Sequence, residues 1–296
     1  MTDGISIVIP TINRSTFLIN TINSILSLSF YKPYEIIIVD QSNAIDKSIL
    51  STYKDNKVIR YFHVTTFRGL PEARNFGWQH ALYDYILYLD DDIEIDSNLL
   101  EEHYKYIINP EIGIVAGGIT EKYKNNPHTM EVGKYNFYTA TPIRGFNMNK
   151  KCDVDHAPGG NFSIKKDIIQ KCGGSDEYLN VGAALYEESD LCLRVKKNGY
   201  KIFFNYDAHI FHLAAKSGGC RVSEINKYVY SLVHNRALMI ARHLNLFQKI
   251  TATVYLLKLV FSYSISYKKF LFGTFFIAYE RGVIHGKLNP KCSFLS

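Results

Sequence analysis

Three consecutive carboxylates, Asp90, Asp91 and Asp92, follow directly on the apolar run Tyr85 to Leu89. Packed so closely, three negative charges repel one another, so a positive group is expected among them. A hard cation such as Mg2+ or Mn2+ takes oxygen ligands and holds diphosphates through one or two protein carboxylates. Asp90 and Asp92 are separated by one residue, so an extended or turning backbone puts their side chains on one side while Asp91 points away. The alternative is a solvated acidic turn in which Asp96, Ser97 and Asn98 cap the next helix. A second acidic group, Glu187-Glu188-x-Asp190, opens a helical pattern, where the helix dipole keeps carboxylates ionised and a general base is available. His212, in HIFHLAAKSGG, stands among aromatic and apolar residues, a setting in which a structural role is the ordinary one.

The elements that must position these groups are legible in the first half of the chain. ISIVI (5–9), EIIIV (35–39), VIRYFHV (58–64) and YILYL (85–89) read as strands, and helix-length segments lie between them at 14–28, 46–53 and 71–82. This β-α-β-α order predicts a mostly parallel, doubly wound sheet that binds ligands at the carboxyl ends of its strands, where Asp40 and Asp90 fall. A helix over 98–106 and a strand at 112–117 follow. The segment 119–155 has poor periodicity and reads as loops and irregular strands. HAPGGNFSIKKDII then gives a Gly-Gly turn, a strand and a helix, and a helix over 187–197 closes at Asn198-Gly199 before the strand KIFF. No P-loop GxxxxGK[ST] or dinucleotide GxGxxG follows the first strand, which argues against NTPase and dehydrogenase chemistry.

Of 296 residues, 47% are hydrophobic and 21% charged, an ordinary composition for a folded protein of one large domain or a domain with an appendage. Residues 1–200 carry 21 Lys/Arg and 25 Asp/Glu, whereas 201–296 carry 13 and 3, so a mildly acidic body (−4) precedes a basic end (+10). Such a basic end calls for an anionic partner, a membrane surface or a nucleic acid. Its bases are interleaved with long apolar runs, which disfavours nucleic acid. The most apolar window, 250–267, is broken by Lys258 and rich in Thr and Ser, which points to one or two amphipathic helices at a bilayer surface in preference to a span; a buried helical pair or dimer surface is the alternative. Five widely spaced cysteines with no CxxC suggest a reducing compartment, and the opening MTDGISIVIPTINR shows no signal-peptide pattern. The expected location is cytoplasmic, peripheral on the inner face of the cell membrane.

Six short segments, in order over residues 4–220, resemble those of the family 2 glycosyltransferases, inverting enzymes of bacterial polysaccharide type with a GT-A fold. They are SIVIPTINR, IIIVDQSN, RGLPEARNFG, LDDD, GGNFSIKK and EESDLCLR. The resemblance implies an α/β fold with a Rossmann-like, mostly parallel central sheet flanked by helices and a C-terminal helical extension. Residues 1–222 would form the nucleotide-sugar-binding and catalytic domain, and 223–296 a basic, aromatic region meeting acceptor, membrane or a second subunit.

The same resemblance implies roles. Pro10, Asp40, Arg74, Asn75, Asp90 and Asp91 would lie on the donor, with Asp40 accepting a hydrogen bond from the base, and Lys216 and Arg221 would meet the diphosphate. Asp90, Asp92 and His212 would hold Mn2+ or Mg2+. Gly159, Gly160, Asn161 and Glu187 would face the acceptor. The family's acidic pair is commonly Glu-Asp followed by x-Asp, so the base position falls on Glu188, while Asp190 would cap the helix or orient neighbours. Gln41-Ser42-Asn43 departs from the acidic residue and Gly-Ser that usually follow the aspartate of the second strand. The implied reaction moves a sugar from a nucleoside diphosphate sugar, UDP-linked in most of the family, to a hydroxyl of a lipid-linked or growing polysaccharide. A non-catalytic carbohydrate- or nucleotide-binding module on the same fold is the first alternative. A nucleotidyltransferase is the second, and it would be expected to carry a Gly-rich basic loop where PTINRSTF has one Arg and no Gly.

Overall fold

The computed structural model describes residues 2–123, 129–214 and 224–294. Four strands, β1 (Ile5–Thr11), β2 (Tyr34–Asp40), β3 (Ile59–His63) and β4 (Tyr85–Leu89), pair in parallel in the order β3-β2-β1-β4. Their apolar runs do not alternate because both faces of the sheet are covered. Val8, Ile37 and Ile86 pack into one core, and Ile7, Ile36 and Leu87 into the other. The connecting helices are α1 (Ser15–Leu26), α2 (Lys47–Tyr53), which Asp46 caps by accepting from the Ser48 and Ile49 amides, and α3 (Leu70–His80). Helix α3 lies close against β1 because Gly77 faces Val8, and a Cβ there would sit 2.2 Å from Val8 Cγ1.

Beyond β4 the sheet becomes mixed. β10 (Asn161–Lys165) inserts antiparallel between β4 and β6 (Ile112–Glu121), and β11 (Lys201–His212) runs parallel to β6. β5 (Ile93–Ile95) and β9 (Lys151–Asp153) pair antiparallel with β11. β6 and β11 are both longer than the apolar runs 112–117 and KIFF suggest, and the extra residues carry Glu121 and His212 to the sheet's carboxyl edge. Within the irregular 119–155 segment, β7 (Lys134–Asn136) and β8 (Thr141–Ile143) form a separate hairpin. Helix α4 (Leu99–Ile107) begins within one residue of its expected start, but without the side-chain capping of the alternative reading. Asn98 makes no side-chain cap, and the Asp96 carboxylate instead meets His209 Nδ1 at 3.1 Å.

Helices α5 (Lys166–Lys171) and α6 (Glu187–Lys197) precede a basic helical layer of α7 (Ile225–His243), α8 (Leu246–Ser266) and α9 (Phe272–Lys287). Helices α7 and α9 approach closely because Gly282 and Gly286 face the backbone of His234 and Leu238. A buried ionic cluster ties this layer to α6. Asp190 meets Arg194 at 2.8 Å, Arg242 at 2.9 Å and His243 at 2.8 Å, and Arg242 also reaches Asp176 at 2.7 Å. Burial alone would raise the Asp190 carboxyl, but Arg194, His243 and Arg242 outweigh it and hold the group well below the usual carboxylate range. No helix among the described residues is long and apolar enough to cross a membrane.

Candidate active site

The carboxyl ends of β1, β2, β4, β6 and β11 converge on one edge, where open α/β sheets bind ligands. One oxygen each from Asp90 and Asp92 and a ring nitrogen of His212 lie within 4.8 Å of one another. His212 Nε2 is 3.3 Å from Asp92 Oδ1 and 3.8 Å from Asp90 Oδ2, and its Nδ1 is held by Glu121 at 3.1 Å. A carboxylate on the far ring nitrogen is the arrangement that orients a ligating imidazole. Two carboxylates and one oriented imidazole fit a divalent cation that also accepts phosphate oxygens.

Asp91 points the other way. Thr11 Oγ1 donates to it at 2.6 Å and Arg14 at 2.8 Å, and Arg14 also lies 3.5 Å from Asp92. Arg14 and His212 are therefore the positive groups that three adjacent acids require. Burial pushes the Asp91 carboxyl up to about 6, against the pull of Thr11 and Arg14. Enclosure likewise raises Asp90, with Asp92 adding to the rise and His212 opposing it. Burial would lower His212, but hydrogen bonds to Asp92 and Glu121 and the nearby Asp90 raise it to about 10.

Two cavities meet at the triad. One, of about 400 Å3, is lined by Pro10, Thr11, Arg14, Gln41 and Arg68. The other, of about 500 Å3, is lined by Arg144, His156, Tyr186, Glu188 and Tyr228. Leu70, Asp90 and His212 line both, so they form one cleft with the triad in the middle and Glu188 on the far side. Gly159 and Gly160 floor it, and a Cβ on Gly160 would lie 2.3 Å from Asp90 Oδ2. The segment entering α6 is held in an unusual conformation. Ala184 and Tyr186, both on the cleft, have φ of 46° and 70°, a backbone state that costs about 1–3 kcal/mol per residue and persists where the surroundings over-determine it. Helix α7 supplies that restraint, with Ser231 donating to Val181 O and Asn235 to Leu179 O and Leu185 O.

Several expected site residues lie elsewhere. Asn75 is buried and spends its amide on Ser175 O, Ser175 N and Glu177, so it ties α3 to the 175–177 turn and does not reach the cleft. Asn161 is also buried. Where the pairing of β6 and β11 slips beyond Asn205, it donates to Gly118 O and Ala208 O and accepts from His103, satisfying carbonyls the strands leave open. Glu187 is fully buried and paired with Arg74, which is itself only 2% exposed and donates to Gly159 O at 2.6 Å between the rings of Tyr88 and Phe162. Arg74 still lines the larger cavity while Glu187 lies beneath it, and the pair joins α3, the Gly159-Gly160 turn and the start of α6. Asp40 is buried; it accepts from Ser42 N at 2.8 Å, from Ser42 Oγ and from Tyr61 OH. Lys216 and Arg221 lie outside the described residues. Arg14, Gln41 and Arg68 stand inside the segments SIVIPTINR, IIIVDQSN and RGLPEARNFG, where the resemblance gives them no role, and Glu121 lies outside all six.

The sequence profile of glycosyl transferase family 2 matches residues 6–173. The poly-beta-1,6-N-acetyl-D-glucosamine synthase of Staphylococcus epidermidis is 32% identical over 119 residues, covering 39% of this chain and 28% of that protein. The chondroitin synthase of Pasteurella multocida is 25% identical over 206 residues, covering 60% and 21%. The chain thus spans about a quarter of the length of these relatives. Among solved structures, S. aureus TarS 1-349 in complex with UDP-GlcNAc superposes with a TM-score of 0.66 at 16% identity, over 96% of this chain and 82% of that one. GalNAc-T7 with UDP, GalNAc and Mn2+ gives 0.61 at 18%, over 77% and 48%. These likenesses establish the GT-A fold, and with more than half its length matched the chain belongs to glycosyl transferase family 2.

Proposed function

From this family membership, we propose that the chain is a metal-dependent, inverting glycosyltransferase acting on a UDP-linked sugar and a hydroxyl of a lipid-linked or growing polysaccharide. The observation that carries the reading is the single cleft with the Asp90, Asp92 and His212 triad at its centre and the Glu188 carboxylate on its far side. Residues 1–222 form the donor-binding and catalytic unit in this reading. Residues 223–296 meet the acceptor or an anionic membrane, which places the chain peripherally on the cytoplasmic face.

The cavity lined by Pro10, Gln41 and Arg68 takes the nucleoside, and Arg14 and Arg68 face the diphosphate. UDP in both GT-A structures named above supports that donor class. Asp90, Asp92 and His212 would hold Mn2+ or Mg2+, which supplies charge neutralisation for the departing diphosphate. Asp91 acts as a brace, fixing the loop of Arg14 against the triad. The acceptor hydroxyl lies between Gly159 and Glu188. As its oxygen attacks the anomeric carbon, the bond to the diphosphate oxygen breaks on the opposite face, the proton passes to the Glu188 carboxylate, and the nucleoside diphosphate leaves. The Arg74–Glu187 pair sets the position of Glu188 relative to the Gly159-Gly160 turn. Calorimetric titration of UDP with and without Mn2+, repeated on Asp92→Asn, tests the reading. Metal-dependent binding that the variant loses is expected, and failure of the wild type to bind UDP, dTDP or GDP in either condition rejects it in favour of a non-catalytic module.

A further inference from the structure

Helix α8 is apolar on two opposite faces. Ala252, Leu256 and Val260 are buried against the other helices. On the far side, Phe247, Ile250, Val254, Phe261 and Ile265 are each more than half exposed. Together with the exposed Lys258 they recur at intervals of three or four residues, so they form one straight stripe along about five turns. Scattered exposed apolar residues need no explanation, but a continuous stripe marks an interaction surface. At the end of α8 the chain turns through Tyr267, Lys268, Lys269 and Phe270, all exposed, with Phe270 85% accessible.

We propose that this outer face of α8, with the 267–270 turn, lies on an anionic lipid bilayer, parallel to its surface. Charge selects the occupant. Between Glu224 and Glu280 the chain has no Asp or Glu, and Lys249, Lys258, Lys268 and Lys269 belong to α8 and its turn. Anionic headgroups pair with Lys258, Lys268 and Lys269, which are all exposed, and the long stem of Lys258 lets its ammonium reach the headgroups while the stripe stays in the acyl boundary. A two-fold contact between copies through the same stripe would bury Lys258 against an α8 and turn that hold no acid to receive it, which costs stability.

The face is continuous with the acceptor side of the cleft. Phe247 rests on the ring of Tyr138, at the tip of the β7–β8 hairpin whose Thr141 and Pro142 line the larger cavity. On its packed side α8 also borders the cleft, where Tyr263 meets Tyr228. An acceptor anchored in the bilayer therefore emerges beside Glu188. This assignment deepens the membrane part of the proposed function and rests on it, but not on the chemistry of transfer.

The test is flotation of the full chain with vesicles of phosphatidylcholine alone and of phosphatidylcholine with phosphatidylglycerol. Two variants are compared with it, Ile250→Gln/Val254→Gln/Phe261→Gln and Lys258→Gln/Lys268→Gln/Lys269→Gln. The wild type should partition onto anionic vesicles only, and each variant should lose about tenfold or more of that partitioning. Melting curves and Mn2+-dependent UDP titration on the same preparations show that the variants are folded. The proposal is overturned if the wild type ignores anionic vesicles or if the apolar variant floats as well as the wild type. It is also overturned if sedimentation shows a wild-type dimer that the apolar variant dissociates, which would make a second copy the occupant. Vesicle binding without any UDP, dTDP or GDP binding would uphold this surface and reject the transferase reading instead.

Discussion

Two clusters of carboxylates and bases lie in this molecule, and they are built to opposite ends. Around Asp190, the carboxylates of Asp190 and Asp176 are enclosed by Arg194, Arg242 and His243 and cut off from solvent. Around Asp90, the acids outnumber the bases, and Asp90 and His212 stay partly open to a cleft. The first neutralises its own charge and joins the α6 helix to the C-terminal layer. The second keeps a surplus of negative charge where a cation and a diphosphate can enter. Similar residue types thus serve cohesion in one place and ligand binding in the other, and what separates them is whether the protein itself completes the charge balance.

The widest separation should come from Glu188→Gln. Removing the proposed base is expected to lower turnover by about 10²–10⁴-fold while leaving UDP affinity and melting temperature near wild type; normal transfer to the natural acceptor would remove Glu188 from that role. Asp190→Asn strikes the closed cluster. Leaving buried Arg194 and Arg242 without their shared carboxylate should cost about 3–5 kcal/mol of stability, seen as a lower denaturation midpoint, with UDP affinity of the folded fraction kept. Asp92→Asn strikes the open one and should reverse the pattern. Outer-shell partners of metal ligands are already worth about 10–100-fold in affinity, so loss of a direct ligand should weaken Mn2+-dependent UDP binding by about a hundredfold, with a smaller stability change than Asp190→Asn. If the two Asp variants exchanged these effects, the contrast between the clusters would be wrong.

Acid titration gives a finer test. The Asp190 carboxyl is held below its unfolded value of about 3.9, so its contribution is present above that pH and is lost as pH falls toward the folded value. Wild-type stability should therefore drop more steeply than that of Asp190→Asn below about pH 4. The smallest effect is expected from Gly160→Ala. Its Cβ would press on Asp90 and displace a triad ligand, weakening metal-dependent UDP binding by about tenfold without the stability loss of a core substitution.

Much of the frame could be read from local pattern. Strands β1 to β4 and helix α6 fall within a few residues of their expected bounds, because unbroken apolar runs and a helix closed by Asn198-Gly199 are short-range signals. Backbone alternation alone puts Asp90 and Asp92 on one side and Asp91 on the other, and the contacts of Thr11 and Arg14 with Asp91 agree. Motif matching carried less well to Asn75, Asn161 and Glu187. Each sits next to a residue that does line the cleft or its floor, and one step along a helix or strand turns a side chain from a ligand to the core.

The sequence by itself determined the kind of sheet, the strand ends where acids collect and the basic, apolar character of the last third, since these follow from residue type and spacing over a few turns. Tertiary structure alone decided that His212 meets Asp92 and Glu121, that Arg14 balances Asp91, that Glu187 is spent on Arg74, and that one face of α8 is left uncovered. Those outcomes depend on which distant segments pair, and pairing is settled by the packing of the whole sheet and its helices rather than by any one stretch of chain.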